Sequence, residues 1–142
     1  MEKNIFRIFV YGSLRKGFHH PAYEYISKSF DFVSVAKVKG YLYDMGSFPA
    51  AIPTTKDAFI VGELYQLKEG ADFSWAIDQL DDYEGVEPEE GEAPLYRRES
   101  TTIYFQNQTC QAWIYWFNGS VEDQPFIASG DVFTFVEQKS KF

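Results

Sequence analysis

The sequence predicts an α+β domain, with about six short strands closed into a small β-barrel and a few helices at its flanks. Three observations carry that expectation. Six segments of the 142-residue chain read as strands and only two as helices. Hydrophobic residues make up 45% and aromatic residues 19%, enough to fill one sizeable core. No repeat, linker or low-complexity tract interrupts the chain, so a single domain over residues 1–142 is expected. A strongly twisted sheet of short strands removes its exposed edges by closing on itself.

The first strand is Ile5–Tyr11, apolar and aromatic up to Gly12. His19–Ser29 reads as a helix with Pro21 in its first turn and Tyr25 and Ile26 turned inward. Phe32–Tyr43 is a long strand whose spacing suggests a bend near Gly40. Phe59–Leu67 follows, with Gly62 marking a bulge or a close backbone approach. Phe73, Ile77 and Leu80 recur at helical spacing, so Phe73–Tyr83 is the stronger helix, with Gly85 just past its end. Arg97–Phe105 and Cys110–Phe117 are strands joined at a turn in Gln106-Asn107-Gln108-Thr109, and Val132–Val136 supplies a short last strand. Glu87–Pro94, acidic and with two prolines and a glycine, reads as an exposed loop.

Composition narrows the function. A net charge of −8 disfavours nucleic acid and anionic membranes as partners and favours small or neutral ones. No apolar run approaches the length of a membrane span. One cysteine, Cys110, permits no internal disulfide, and with no signal-like start a cytoplasmic location is expected. Cys110 and the adjacent His19 and His20 give no metal-ligand spacing, so no metal is expected.

Two stretches raise chemical questions. In Ile8–Gly17, Gly12 and Gly17 stand at the glycine places of a phosphate-binding loop. Phe18 and His19 occupy the places where the lysine and hydroxyl belong, so that reading fails. Ser13 after a strand suggests a nucleophile elbow, but Tyr11 and Arg15 stand where its glycines belong. The second stretch, residues 81–92, holds seven carboxylates. Glu84 falls four residues after Leu80, on the apolar face of the helix, while Asp81 and Asp82 are expected to face solvent. A glutamate on that face is either paired structurally or held for chemistry. If apolar surroundings raise its pKa, it becomes better matched to taking a proton from an amine. Tyr43, Tyr65, Tyr96 and Tyr115 are candidate pocket walls or plain core aromatics, and Arg97 and Arg98 are candidate partners of the acidic loop.

Taken together, Phe9–Gly17 (FVYGSLRKG), Leu80–Gly85 (LDDYEG), FPAAIP at 48–53, VGELYQL at 61–67, LYRR at 95–98 and IASGDVFTF at 127–135 resemble the γ-glutamylcyclotransferase-like family, also known as AIG2-like. The motifs run in the family's order over nearly the whole chain, and their wording is closest to the γ-glutamylamine cyclotransferase branch. The stretch Glu87–Pro94 is longer and more acidic than the family leads one to expect, and a lid that repels anionic substrates is one reading of it. The resemblance implies a mixed β-barrel with a cavity beside the Tyr-Gly-Ser-Leu loop. It also implies a cofactor-free conversion of a small γ-glutamyl compound to 5-oxoproline with release of the attached amine. Glu84 matches the family's catalytic glutamate, and Tyr11, Gly12, Ser13 and Leu14 match its substrate-binding loop. A metabolite-binding module without turnover, or a deprotecting cyclotransferase acting on a biosynthetic intermediate, are the alternatives.

Overall fold

The computed structural model describes residues 5–12, 15, 21–46, 48–86 and 94–132. Strands are β1 (Arg7–Val10), β2 (Phe30–Asp44), β3 (Pro49–Pro53), β4 (Phe59–Leu67), β5 (Tyr96–Phe105) and β6 (Gln108–Phe117). Helix α1 is a single turn, Glu24–Ser27, entered through a 3₁₀ turn at Pro21–Tyr23, and α2 is Phe73–Glu84. Among the described residues five strands close into a barrel in the order β2-β4-β1-β6-β5 and back to β2. All of these pairs are antiparallel except β1 with β6, which makes the barrel mixed.

β2 is the strand that closes the ring. Lys37 and Val38 pair with Val61 and Ile60 of β4 on one side and with Tyr104 and Ile103 of β5 on the other. From Gly40 onward β2 leaves β4 and pairs with β3, which lies outside the closed ring. A side chain at Gly40 would meet Ile60 and the Ile52 carbonyl, so glycine is what lets the strand change partners. The bulge lies elsewhere, at Val33, where the register against β4 slips between Phe32 and Ser34. Gly62 is a close approach: an added Cβ would collide with the Val10 carbonyl oxygen.

Alternation along each strand fills two cores. Phe9, Ala36, Val38, Ile60, Leu64, Ile103, Ile114 and Trp116 gather as the barrel interior, with Ile127 and Val132 of the C-terminal segment packed into the same cluster. Ile8, Val10, Trp113, Tyr115 and Phe117 face the other way and pack with Ala76, Ile77 and Leu80 of α2 and Ile26 of α1. β1 and the second half of β6 are therefore buried on both faces, which is why they read as unbroken apolar runs rather than as alternation.

The expected elements are largely present. β4 has the expected bounds, and the β5–β6 turn uses Gln106 and Asn107, both at positive φ, as a two-residue hairpin connection. The short β3 was not expected, because its two prolines and two alanines carry no β signal; pairing with β2 supplies it. In α1, Ile26 is buried but Tyr25 is exposed and packs on the ring of Tyr83. His19 and His20, most of Glu87–Pro94, and the expected last strand beyond Val132 lie outside the described residues.

The Gly62 approach has a measurable consequence. Gly62→Ala forces a methyl group against the main chain of β1, and an oxygen fixed in a ladder cannot swing aside. The variant should lose about 1–3 kcal/mol in urea unfolding, seen as a lower midpoint at constant slope. A midpoint equal to wild type would show that β1 and β4 have slack.

Candidate active site

The site forms where three chain segments end or begin together. Helix α2 is entered through Asp72, whose carboxylate accepts the Trp75 N–H at 3.2 Å. It stops at Gly85, which takes a left-handed φ of 74° and returns its N–H to the carbonyls of Asp81 and Asp82. Glu84 is thus the last helical residue, and the turn aims it at the end of β1. There Tyr11 and Gly12 leave the sheet, with Arg15 N–H closing a turn onto the Gly12 carbonyl at 2.9 Å. Gly12 lies against Pro49, where an added Cβ would come within 3.3 Å of the ring.

These pieces surround a cavity of about 240 Å³ lined by Tyr11, Gly12, Phe48, Tyr83, Glu84 and Tyr96 among others. Its walls are aromatic. Phe48, Tyr96 and Phe117 stack edge-on or tilted with ring centres 5.8–6.1 Å apart, which fixes the floor. The Tyr96 hydroxyl donates to the Pro49 carbonyl at 3.1 Å, and the Tyr11 hydroxyl donates to the Tyr115 carbonyl.

Glu84 keeps some contact with solvent, yet the rings around it strip enough water to push its carboxyl up to about 7 from an ordinary 4.5. Its place at the negative end of α2 works in the same direction. Burial likewise raises the phenols of Tyr11, Tyr96 and Tyr115, with the nearby Glu84 carboxylate adding to the shift, so all three remain neutral donors.

Of the five residues expected at the site, Glu84, Tyr11 and Gly12 line one cavity; Ser13 and Leu14 lie outside the described residues. Tyr96 and Tyr115 are also wall residues. Tyr65 is not: it is buried in the helix-side core and donates to Glu63 at 2.9 Å, while Tyr43 packs on Phe126.

One expectation is corrected. Asp81 does not face solvent. It is 5% exposed and accepts Arg98 Nε at 2.7 Å, Arg98 Nη2 at 3.1 Å and the Tyr115 hydroxyl at 2.8 Å. Arg98 therefore holds α2, and Arg97 bonds Glu99 and the Phe117 carbonyl. Its charge, and not its helical position, is what suggested solvent: four residues after Ile77, Asp81 falls on the buried face, and the arginine in "LYRR" was the available signal for its partner.

Arg15 was not singled out from the sequence. It is buried and pairs with Asp131 at 3.0 Å and Glu63 at 3.6 Å, which ties the β1 loop to β4 and to the Ser-Gly-Asp segment. Among the described residues no three His, Cys, Asp or Glu side chains gather as a metal site, and no helix is long and apolar enough to cross a membrane.

A small mixed barrel with a buried carboxylate facing a glycine turn defines the class, and sequence comparison names it. Residues 8–133 match the family described as γ-glutamyl cyclotransferase, AIG2-like, and the chain belongs to that family. A relative from Methanocaldococcus jannaschii, named "Putative gamma-glutamylcyclotransferase MJ1514", is 34% identical over 113 residues, 78% of this chain and 82% of that one.

Solved structures share the fold. YkqA from Bacillus subtilis superposes with a TM-score of 0.70 at 23% identity over 96% of this chain, which spans 42% of YkqA. An uncharacterized protein from Pyrococcus horikoshii gives 0.65 at 22% identity, covering 95% and 96% of the two chains. An AIG2-like protein from Mus musculus gives 0.63 at 20% identity, covering 86% and 85%.

A raised carboxyl pKa is also a statement about stability. Between about 4.5 and 7 the folded chain holds a proton at Glu84 that the unfolded chain releases. The stabilisation it gives is full below about 4.5 and is lost as pH rises through about 7. Glu84→Gln mimics the protonated form, so at pH 8 it should exceed wild type in stability by up to about 3 kcal/mol, a gap that narrows as pH falls toward 4.5. Equal melting temperatures across that range would show that the wild-type carboxylate is not desolvated.

Proposed function

We propose that the protein cyclises the γ-glutamyl group of a small γ-glutamyl amine or amino acid to 5-oxoproline and releases the free amine. The observation that carries this reading is the placement of Glu84: one carboxylate, held near neutrality in its pKa, in an aromatic cavity at the glycine turn after β1. Family membership supplies the reaction class.

The chemistry needs a base that also serves as an acid. Glu84 takes a proton from the substrate's α-ammonium, and the freed nitrogen bonds to the γ-carbonyl carbon of the same molecule. The tetrahedral intermediate passes its negative charge to the former carbonyl oxygen. Glu84 then returns the proton to the leaving nitrogen as its bond to carbon breaks, and the freed carboxylate passes the ring nitrogen's second proton to the departing amine, which leaves as an ammonium. Bonds and protons balance with no oxidant, reductant or added water, so the reaction calls for no cofactor. A pKa of about 7 suits both steps: an α-amino group titrates at about 7.7–8.0, and a carboxyl near 4.5 would be too weak a base for it.

Tyr11, Gly12, Ser13 and Leu14 form the substrate-binding loop in this reading. A chain that leaves a strand at a glycine can turn successive N–H groups into one concavity, which seats the substrate carboxylate or the oxyanion. The aromatic walls exclude water and fold the substrate toward its cyclising conformer, the main source of rate in an intramolecular reaction. The partner is thus a small γ-glutamyl molecule, handled without nucleic acid or membrane.

The test is 5-oxoproline release from γ-glutamyl-amino acids, γ-glutamyl-ε-lysine, glutathione and γ-glutamylamines. One class should be turned over, and Glu84→Gln should lose about 10²–10⁴-fold in kcat with the fold intact. Wild-type turnover by that variant would remove Glu84 from the mechanism, and binding without product would make the protein a metabolite-binding module. The kcat/KM profile should fall about tenfold per pH unit below about 7, where Glu84 becomes protonated. An acid limb centred near 4.5 would contradict a buried base.

A further inference from the structure

We propose that Asp81 is the positioning residue for Glu84: through Arg98 on β5 and Tyr115 on β6 it fixes the last turn of α2, and with it the carboxylate that faces the cavity. The functional part of this proposal rests on reading Glu84 as the base; the structural part does not.

Residues three apart on a helix share a face, so Asp81 lies one turn before Glu84 on the side that meets the barrel. Its carboxylate receives three bonds at 2.7, 2.8 and 3.1 Å from two different strands. The bidentate grip of a guanidinium sets an angle as well as a distance, and so fixes the rotation of the helix about its axis. Arg98 is itself held, with its guanidinium 4.6 Å above the ring of Trp113, and Trp113 Nε1 donates to the Ile5 carbonyl at 3.0 Å. The main-chain carbonyl of Asp81 receives the N–H of Gly85 and, at 3.0 Å, that of Val86, so the same residue fastens both ends of the turn that carries Glu84.

Tyr115 joins the clamp to the cavity. Its hydroxyl serves Asp81 while its carbonyl accepts the Tyr11 hydroxyl, so clamp, wall and β1 end belong to one bonded chain. The groups around Glu84 are Tyr11 from β1, Tyr96 from β5, Tyr115 from β6 and Tyr83 of its own helix, with the Asp81–Arg98 pair one turn away. The three strand phenols stay neutral. Loosening the clamp would let water reach Glu84, and removing the Asp81 charge would leave the Arg98 guanidinium without that partner one turn away. Both changes favour the Glu84 anion.

The experiment follows the ¹³C carboxyl shift of Glu84 through a pH titration of the full-length chain, assigned by its disappearance in Glu84→Gln. Wild type should titrate at about 7. Asp81→Asn should move the midpoint down by about one unit or more, and Tyr115→Phe, which leaves the ion pair in place, by about half a unit. On the substrate found to be turned over, kcat should fall about 10–100-fold in Asp81→Asn while KM changes less than about threefold.

A folded Asp81→Asn with the wild-type midpoint and kcat overturns the proposal. Should that variant fail to fold, Tyr115→Phe decides by the same two readings: a lowered midpoint and kcat support the clamp, and wild-type values overturn it. If Glu84→Gln turns over normally, Glu84 is not the base, and the titration midpoints still decide whether Asp81 positions it.

Discussion

The site depends on a partly buried ion pair between the helix and the sheet. A carboxylate and a guanidinium removed from water cost several kcal/mol each unless their geometry and remaining bonds repay it, so such a pair tolerates little variation in how its elements meet. Asp81 and Arg98 satisfy that demand with two parallel bonds, a third donor from Tyr115 and a stacked indole beneath the guanidinium. Apolar packing of Ala76, Ile77 and Leu80 brings α2 onto the barrel. Packing alone is non-directional and leaves room for the helix to roll; the ion pair removes that freedom.

A second charge cluster holds the end of β1. Arg15 reaches Asp131 and Glu63 from the loop that follows β1. Its own N–H closes the Gly12 turn, so the charge cluster and the turn are one unit. Gly12 and Arg15 lie beyond the last ladder pair of β1, and a buried charge with two acidic partners holds them there. Charge pairs thus hold the two chain ends that meet at the cavity, α2 and β1, and aromatic rings line the space between.

Much of this was legible in the sequence. β4, the stop of α2 at Gly85 and the hairpin turn were readable because each depends on local chemistry: an apolar run, a glycine able to take positive φ, and turn-forming residues. Glu84 was found by counting four from Leu80. What was not legible depends on partners distant in the chain. β3 has two prolines and exists through its ladder with β2. Asp81 meets Arg98 across 17 residues and Tyr115 across 34, and Arg15 meets Asp131 across 116. Periodicity reports which side of a helix faces inward, but not that a buried charge will find its counterion there.

Asp81 and Glu84 show how environment sorts two like groups one helical turn apart. Asp81 has a guanidinium and a phenol donating to it, and its role is structural. Glu84 faces neutral rings at the negative end of the helix and is held near neutrality in its pKa. Exchanging the two environments would leave Glu84 ionised and tightly paired, unable to move a proton at neutral pH. The fold therefore carries an unfavourable carboxylate above pH 7, and the clamp one turn away keeps that carboxylate from relaxing toward solvent. Strain of this kind persists only where the surroundings over-determine it. The bonds around Asp81 are what make the placement of Glu84 sustainable.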